Sequence, residues 1–152
     1  MPFPARMKHS VTELPFNQLV GIEVSSNSAH LLRLPPGPQY LNHVGTVHAS
    51  ALLALAEASS GEFLLRHLGS SEGIVAVVRH IEAKFRKPAI GAVTSTATVA
   101  PEYLHKLDTE LASRGRVLVP VIVELYDEPG THSLSATVEW FVQKLDPHHR
   151  SL

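Results

Sequence analysis

The pattern of hydrophobic residues divides the chain into one long helix-forming segment and several segments with strand-like alternation. Residues 48–68 are mainly Ala, Leu, Glu and Arg, which are good helix formers, and Gly69 follows them as a helix stop. The middle of this segment is apolar on almost every side, which predicts a buried helix of roughly 20 residues. Ser59-Ser60-Gly61 interrupts it with small residues and indicates close packing on that face.

Most of the remaining chain predicts strands, because β-branched and apolar residues alternate with polar ones between turn signals. Residues 20–34 are interpreted as one long strand that bends at 25–28 and stops at Pro35-Pro36-Gly37-Pro38. The other predicted elements are four strands after the long helix, at 74–86, 92–100, 117–126 and 133–145, and two short helices, at 11–19 and 102–114.

The order of these elements predicts the fold. Strands joined by short turns are usually antiparallel, and one apolar helix needs a large surface to cover it. A curved antiparallel sheet wrapped around the helix meets both demands, and this is the α+β hotdog arrangement. We therefore expect a single hotdog domain over residues 1–152, with a loose arm at 1–10 and a solvated tail at 146–152.

Composition narrows the classes of function. A net charge of -1 and a pI of about 6.8 leave no basic stripe for a nucleic-acid backbone. The absence of cysteine excludes thiol nucleophiles and zinc–thiolate sites. The first residues lack the apolar core of a signal peptide, and the longest apolar run, 49–56, is too short to span a membrane. We expect a cytoplasmic protein that binds neither nucleic acid nor membrane.

Glu57 is the candidate for chemistry within the long helix. It follows the apolar run 52–56 and shares a helical side with Leu53, Ser60 and Leu64. A carboxylate on such a side needs a partner or a raised pKa, and carboxylates of this kind are frequent in functional sites. Alternatively, Glu57 emerges at a polar edge or pairs with a basic residue, and the residues alone leave both interpretations open.

The segment before the helix adds polar groups. Asn42 and His48 lead to the helix N-terminus, where free N–H groups and the positive end of the helix dipole favour a negatively charged oxygen. The carbonyl oxygen of a thioester gains such a charge when it is attacked. Taken alone, Asn42 is equally consistent with an ordinary loop residue, and His48 with a helix cap.

The pattern Asn42-x-x-Gly45-x-x-His48-x(8)-Glu57 resembles the motif of PaaI-like thioesterases, the phenylacetate-pathway branch of the hotdog superfamily. In that family an Asn lies six residues before a His-Gly-Gly, and an acidic residue follows the His by nine, and both spacings match here. Residues 81–91 are similar to the family's second strand and its Pro-Ala turn. The resemblance covers most of residues 12–143.

The resemblance implies hydrolysis of an acyl-CoA at a subunit interface. Glu57 acts as general base or nucleophile, Ala49 supplies the oxyanion-hole N–H, and His48 and Asn42 orient the carbonyl or the water. A homodimer or a dimer-of-dimers tetramer is implied, with coenzyme A as part of the substrate, no separate cofactor and no metal. The implied substrate-binding residues are Gly45, Ser50, Ser60 and Val78, with Arg79, Arg86 and Lys87 for the CoA phosphates, although each of these cations also fits an ordinary surface charge.

Three departures from the family pattern bear on activity. His48-Ala49-Ser50 stands where the family has His-Gly-Gly, and an Ala at 49 is strained by about 1 kcal/mol if that position needs a positive φ. Glu57 replaces the commoner Asp and is one methylene longer, which moves the carboxylate. Val78 stands where some relatives have Ser or Thr.

Three alternative functions stay open. His43 and Glu57 have the fourteen-residue spacing of a hotdog hydroxyacyl-thioester dehydratase, but the Gly-His-Phe-Pro-Gly and Met-Pro-Gly signals of that family are absent. The substituted His-Ala-Ser and Val78 are compatible with a non-catalytic acyl-CoA binding protein. A structural protein without a ligand is the third alternative.

Overall fold

The structure, a computed structural model, describes residues 10–146, so the predicted arm and tail lie almost entirely outside the described residues. A short 3-10 helix at Val11–Glu13 precedes the other elements. In chain order these are α1 (Pro15–Val20), β1 (Glu23–Val24), β2 (Leu32–Leu34), α2 (Ala49–Leu68), β3 (Ile74–Phe85), β4 (Val93–Thr98), α3 (Pro101–Arg114), β5 (Arg116–Tyr126) and β6 (His132–Lys144).

The long helix α2 begins and ends where the sequence predicts. His48 is its N-cap, and Gly69 ends it with a φ of +77°, a conformation that favours glycine. The Gly69 N–H donates to the Leu65 carbonyl at 2.9 Å, which satisfies a carbonyl of the last turn. Helix α3 is also confirmed, and Gly115 ends it in the same left-handed conformation.

Residues 10–146 form one antiparallel sheet of six strands in the order β1-β2-β4-β5-β6-β3. Strand β3 therefore does not pair with β4, its successor in the chain. It pairs with β6 along its whole length, from Ile74 opposite Lys144 to Phe85 opposite Leu134. This pairing places β3 at one edge of the sheet, next to the longest strand.

The prediction of one long strand over residues 20–34 is wrong. The segment folds back on itself, so that Val24 pairs with Leu32 in a short antiparallel hairpin. Asn27 builds the turn, because its side chain accepts from the Ala29 N–H at 2.9 Å and its carbonyl accepts from the His30 N–H at 3.0 Å. The serine and asparagine residues that indicated a bend thus form a complete turn.

The core lies between α2 and the inner face of the sheet. Alternate residues of β5 point inward and are fully or almost fully buried, from Val117 to Leu125. They face Leu55 and Ala56 of α2 within one hydrophobic cluster. Within the described part of the chain, no helix is long and apolar enough to cross a membrane.

Candidate active site

The N-terminus of α2 presents an unpaired backbone donor. The Nδ1 atom of His48 accepts from the Ser50 N–H at 3.0 Å, and the His48 N–H donates to the Tyr40 carbonyl at 2.7 Å. The N–H of Ala49, the first helical residue, finds no acceptor among residues 10–146. His48, Ala49 and Ser50 are exposed, so a negatively charged oxygen can approach this N–H from solvent.

The backbone strain that a positive φ would impose on Ala49 is absent. No residue other than glycine has a positive φ within residues 10–146, and Ala49 has the ordinary backbone of a first helical turn. Alanine at the position where the PaaI-like pattern has glycine therefore leaves the backbone donor in place.

The Asn42 side chain holds the loop before α2 together. Its Oδ1 accepts from the N–H groups of Val44 and Thr46, both at 3.0 Å, and its Nδ2 donates to the Thr46 hydroxyl at 2.9 Å. Gly45 has a φ of +79° within this turn, which a side chain would strain. Asn42 and Gly45 thus shape the loop that leads to His48, and contact of either with a substrate stays a prediction.

Glu57 lines a mainly apolar cavity. The cavity has a volume of about 180 Å³, and Glu57 is one of its lining residues. The Glu57 carboxylate makes no hydrogen bond or ion pair with residues 10–146. Burial without a compensating partner raises the pKa of Glu57 above its ordinary value of 4.5. A carboxylate with a raised pKa is a stronger base, which suits proton abstraction from water.

The two unpaired groups of α2 are far apart within one chain. Ala49 and Glu57 are eight residues apart, which corresponds to about 12 Å along the helix axis. A hydrogen bond spans only about 3 Å, so one thioester carbonyl and its attacking water cannot reach both groups. This separation is consistent with the predicted site, in which Glu57 and Ala49 come from different copies of the chain.

Two predicted substrate-binding residues, buried Ser60 and half-buried Val78, lie next to Trp140 in the fold. Ser60 is fully buried, donates to the Glu57 carbonyl oxygen at 2.6 Å and accepts from the Trp140 indole N–H at 2.8 Å. Val78 lies opposite Trp140 in the pairing of β3 with β6. Neither lines the cavity, but Trp140 does. Ser60 therefore positions a wall of the cavity instead of facing its interior.

The three predicted cations lie along β3 and the turn after it. Arg79 is the extra residue of a β-bulge, and its guanidinium lies 5.8 Å from the centre of the Phe141 ring. The Nε of Arg86 donates to the Ser135 hydroxyl at 2.8 Å, and Lys87 is exposed. The structure does not bring them together with Glu57. Within the described range, no three His, Asp or Glu side chains form a group that could hold a metal ion.

Glu62, a second carboxylate of α2, was not identified from the sequence. It is fully buried, and its carboxylate accepts from the Ser10 hydroxyl, the Val11 N–H and the Arg66 guanidinium, each at 3.1 Å. These bonds fix the start of the 3-10 helix against α2. Val11 also lines the cavity beside Glu57, so Glu62 holds one wall of the candidate site.

The sequence did contain a signal for Glu62. It lies at helical spacing from Leu55, Ala58 and Leu65, all of which are buried, so an otherwise apolar row carries one carboxylate. Such a position requires a partner. Two of its three partners, Ser10 and Val11, lie more than 50 residues away in the sequence, in a segment interpreted as an arm and a short helix.

An antiparallel sheet wrapped around one long helix is the hotdog fold, which confirms the predicted α+β class. A Pseudomonas aeruginosa protein of unknown function, described as a probable thioesterase, is 27% identical, with a TM-score of 0.70 over 90% of this chain and 93% of that chain. A Haemophilus influenzae thioesterase is 22% identical, with a TM-score of 0.68 over 91% of this chain and 90% of that one. A hypothetical thioesterase from Streptococcus pneumoniae, solved with coenzyme A, is 18% identical, with a TM-score of 0.59 over 82% of this chain and 88% of that one.

Residues 11–142 match the family described as a domain of unknown function, DUF4442, and the chain belongs to that family. No curated protein sequence matches it. The similar structures support the hotdog thioesterase part of the sequence resemblance, while membership of the PaaI-like branch stays a prediction.

Proposed function

We propose that the chain is an acyl-CoA thioesterase of the PaaI-like type that works as a homodimer. The observation that carries this proposal is Glu57, a carboxylate without a partner among residues 10–146, whose pKa is raised by burial beside an apolar cavity. Similar hotdog structures that are named thioesterases, one of them solved with coenzyme A, support the same chemistry.

The reaction adds water across the thioester. Glu57 takes a proton from water as its oxygen bonds to the carbonyl carbon, or attacks that carbon directly as a nucleophile. The carbonyl oxygen becomes an oxyanion beside the Ala49 N–H of the second copy, where the helix dipole also stabilises it. When water is the attacking group, the C–S bond then breaks, the sulfur receives the proton that Glu57 took, and a carboxylic acid and the CoA thiol leave. When Glu57 itself attacks, cleavage of the C–S bond leaves a mixed anhydride between Glu57 and the acyl group, and the departing thiolate takes a proton from solvent. Water then hydrolyses the anhydride to the carboxylic acid and free Glu57.

The free edge of β3 is the proposed dimer interface. This strand pairs only on its β6 side within the described residues, and it exposes Val77, Ile81 and Phe85 by 49%, 41% and 47%. A long edge strand with exposed apolar side chains is a template for pairing with a second chain. Arg79, Arg86 and Lys87 lie along this edge and the adjoining turn, where they can meet the phosphates of CoA.

Thiol release from acyl-CoA tests the proposed reaction, and the chain contributes no background because it has no cysteine. Replacing Glu57→Gln removes the base and should lower kcat/KM by about 10²- to 10⁴-fold while the protein stays folded. Glu102→Gln on the exposed start of α3 is the matched control and should leave the rate unchanged. Equal rates for wild type and Glu57→Gln would falsify the role of Glu57, and acyl-CoA binding without thiol release would favour the binding-protein alternative.

Sedimentation tests the dimer. Val77→Asp places a charge on the edge strand and should weaken association at least tenfold, because charges on edge strands oppose pairing. Leu19→Asp, on the exposed face of α1, is the control and should sediment as the wild type does. A wild-type monomer at micromolar concentration contradicts the shared site.

A further inference from the structure

The cavity beside Glu57 extends along α2. Its α2 side is formed by Glu57, Ala58, Gly61, Leu65 and Leu68, which lie on one face of the helix over three turns. From Glu57 to Leu68 the helix rises by about 16 Å. We infer that this cavity binds a straight acyl chain of about six to eight carbons, with the thioester at Glu57 and the chain end towards Leu68. This inference rests on the proposed thioesterase function.

The cavity lining is suited to a hydrocarbon chain. Besides Glu57, the helix side offers only apolar groups. The other sides are mainly apolar and also include three polar residues: Val11, Leu14, Ile74, Ala76 and Trp140, with Asn17, Ser70 and Ser71. Burial of each methylene in such a lining contributes about 0.8 kcal/mol, which is about fourfold in affinity.

The volume limits how much of a chain the cavity can enclose. An apolar cavity of about 150 Å³ holds benzene, which corresponds to about 25 Å³ per carbon. At that packing, a volume of about 180 Å³ holds about seven carbons. The same carbons in a ring need a wide and short cavity, whereas this one follows three helical turns, which favours a straight chain over an aromatic ring.

The walls are fixed in place, so the cavity does not adapt freely to longer chains. Glu62 accepts hydrogen bonds from Ser10 and Val11, and these hold the N-terminal wall against α2. The Trp140 indole donates to Ser60 at 2.8 Å, which holds the opposite wall. At the N-terminal wall the acceptor is the buried, charged carboxylate of Glu62. At the opposite wall the Trp140 indole makes a short hydrogen bond to the buried hydroxyl of Ser60.

Gly61 faces two walls of the cavity, Trp140 and Val11. A Cβ atom at this position would lie 3.3 Å from Cζ2 of Trp140 and 3.5 Å from Cγ1 of Val11. Its φ is not positive, and alanine is the better helix former, so Gly61→Ala keeps the helix while it closes the middle of the cavity. Leu68→Ala has the opposite effect, because it opens the far end.

The experiment compares kcat/KM for acetyl-, butyryl-, hexanoyl-, octanoyl-, decanoyl-, palmitoyl- and phenylacetyl-CoA. Binding of the matching S-alkyl-CoA thioethers, which cannot be hydrolysed, is measured in parallel by calorimetry. For the wild type, both quantities should rise by about fourfold per methylene to hexanoyl or octanoyl and fall at least tenfold for palmitoyl. Phenylacetyl-CoA should lie below octanoyl-CoA.

The variants locate the chain in this cavity. Gly61→Ala should lower kcat/KM for octanoyl-CoA by about tenfold or more and leave butyryl-CoA within about twofold. Leu68→Ala should move the optimum to decanoyl-CoA. Leu104→Ala, which removes a half-buried leucine of α3 outside the cavity, should leave the optimum in place.

The outcomes separate this inference from the function on which it rests. If no thioester is hydrolysed but thioether binding still peaks at six to eight carbons, the cavity assignment stands and the reaction fails. If hydrolysis occurs with an optimum at acetyl, palmitoyl or phenylacetyl, or with no response to Gly61→Ala, the cavity assignment is overturned. Absence of both hydrolysis and thioether binding overturns both.

Discussion

The two halves of α2 differ in how their polar groups are satisfied. In the C-terminal half, the Ser59 hydroxyl donates to the Leu55 carbonyl at 2.6 Å and lies 2.6 Å from the Ser95 hydroxyl. Glu62 accepts three hydrogen bonds. In the N-terminal half, the Ala49 N–H and the Glu57 carboxylate have no partner within residues 10–146. The polar groups of the C-terminal half therefore stabilise the fold, whereas the two unpaired groups of the N-terminal half are available to a ligand.

The contrast is clearest between two glutamates of α2, Glu57 and Glu62, which are only five positions apart. Glu62 is fully buried and fully paired, and its charge is compensated by Arg66. Glu57 is half-buried and unpaired, and its pKa is raised. Burial alone does not mark a functional carboxylate, whereas burial without a partner does.

In the comparison of the two helix halves, the largest expected effect is on kcat, and it tests the Ala49 N–H in the N-terminal half. Ala49→Pro removes the N–H at a helix position where proline is well accepted, and the extended backbone of His48 suits the residue before a proline. The loss of one oxyanion donor should lower kcat by about 10²- to 10³-fold in a thiol-release assay.

Ala49→Gly is the matched control for this prediction. It keeps the N–H and restores the residue that the PaaI-like pattern has at this position, so its rate should stay within about tenfold of wild type. If the proline and glycine variants have equal rates, the Ala49 N–H does not stabilise the oxyanion.

The second prediction concerns the C-terminal half. Glu62→Ala leaves the Ser10 hydroxyl and the Val11 N–H buried without an acceptor, which should lower the free energy of unfolding by about 3 kcal/mol in urea titration. Glu102→Ala, at an exposed position of α3, should change it by less than about 0.5 kcal/mol. A Glu62 variant as stable as wild type would remove the contrast between the two carboxylates.

The smallest effect is a pH dependence of stability. Because the pKa of Glu57 is raised in the folded state, the folded protein holds this proton more tightly than the unfolded chain does. The stability that this proton contributes is fully present below the ordinary Glu57 pKa of 4.5. It is lost as the pH rises through the raised pKa of the folded state. Glu57→Gln should therefore melt like wild type near pH 4 and slightly above it at neutral pH.

Thermal melts of both proteins across this range check the sign. A variant that is less stable than wild type at neutral pH indicates that Glu57 has a stabilising partner, which contradicts its unpaired state. In the same pH range, the wild-type hydrolysis rate should fall as Glu57 becomes protonated.

Much of the fold could be predicted because its signals are local. The composition of α2, the glycines that end α2 and α3, and the alternation in β5 and β6 each depend on neighbouring residues, and these elements lie where the sequence indicates. The hairpin at residues 23–34 was missed because a bend and a turn have the same residue types. The pairing of β3 with β6 was not accessible, because strand order in a sheet depends on distant contacts.

The candidate site was predictable in part for the same reason. Asn42, Gly45, His48 and Glu57 were named from their spacing, and the structure shows their surroundings within the chain. Their roles in a reaction stay predictions. The roles of Ser60 and Glu62 could not, because each depends on a partner far away in sequence: Trp140 for Ser60, and the segment that begins at Ser10 for Glu62.

The hydrogen bond between Trp140 and Ser60 has a practical consequence. The chain contains a single tryptophan, and its indole forms a wall of the cavity beside Glu57. Its intrinsic fluorescence therefore comes from one position at the candidate site. Displacement of water by a ligand next to this ring changes the emission spectrum, so occupancy of the cavity can be followed optically in the unlabelled wild-type protein.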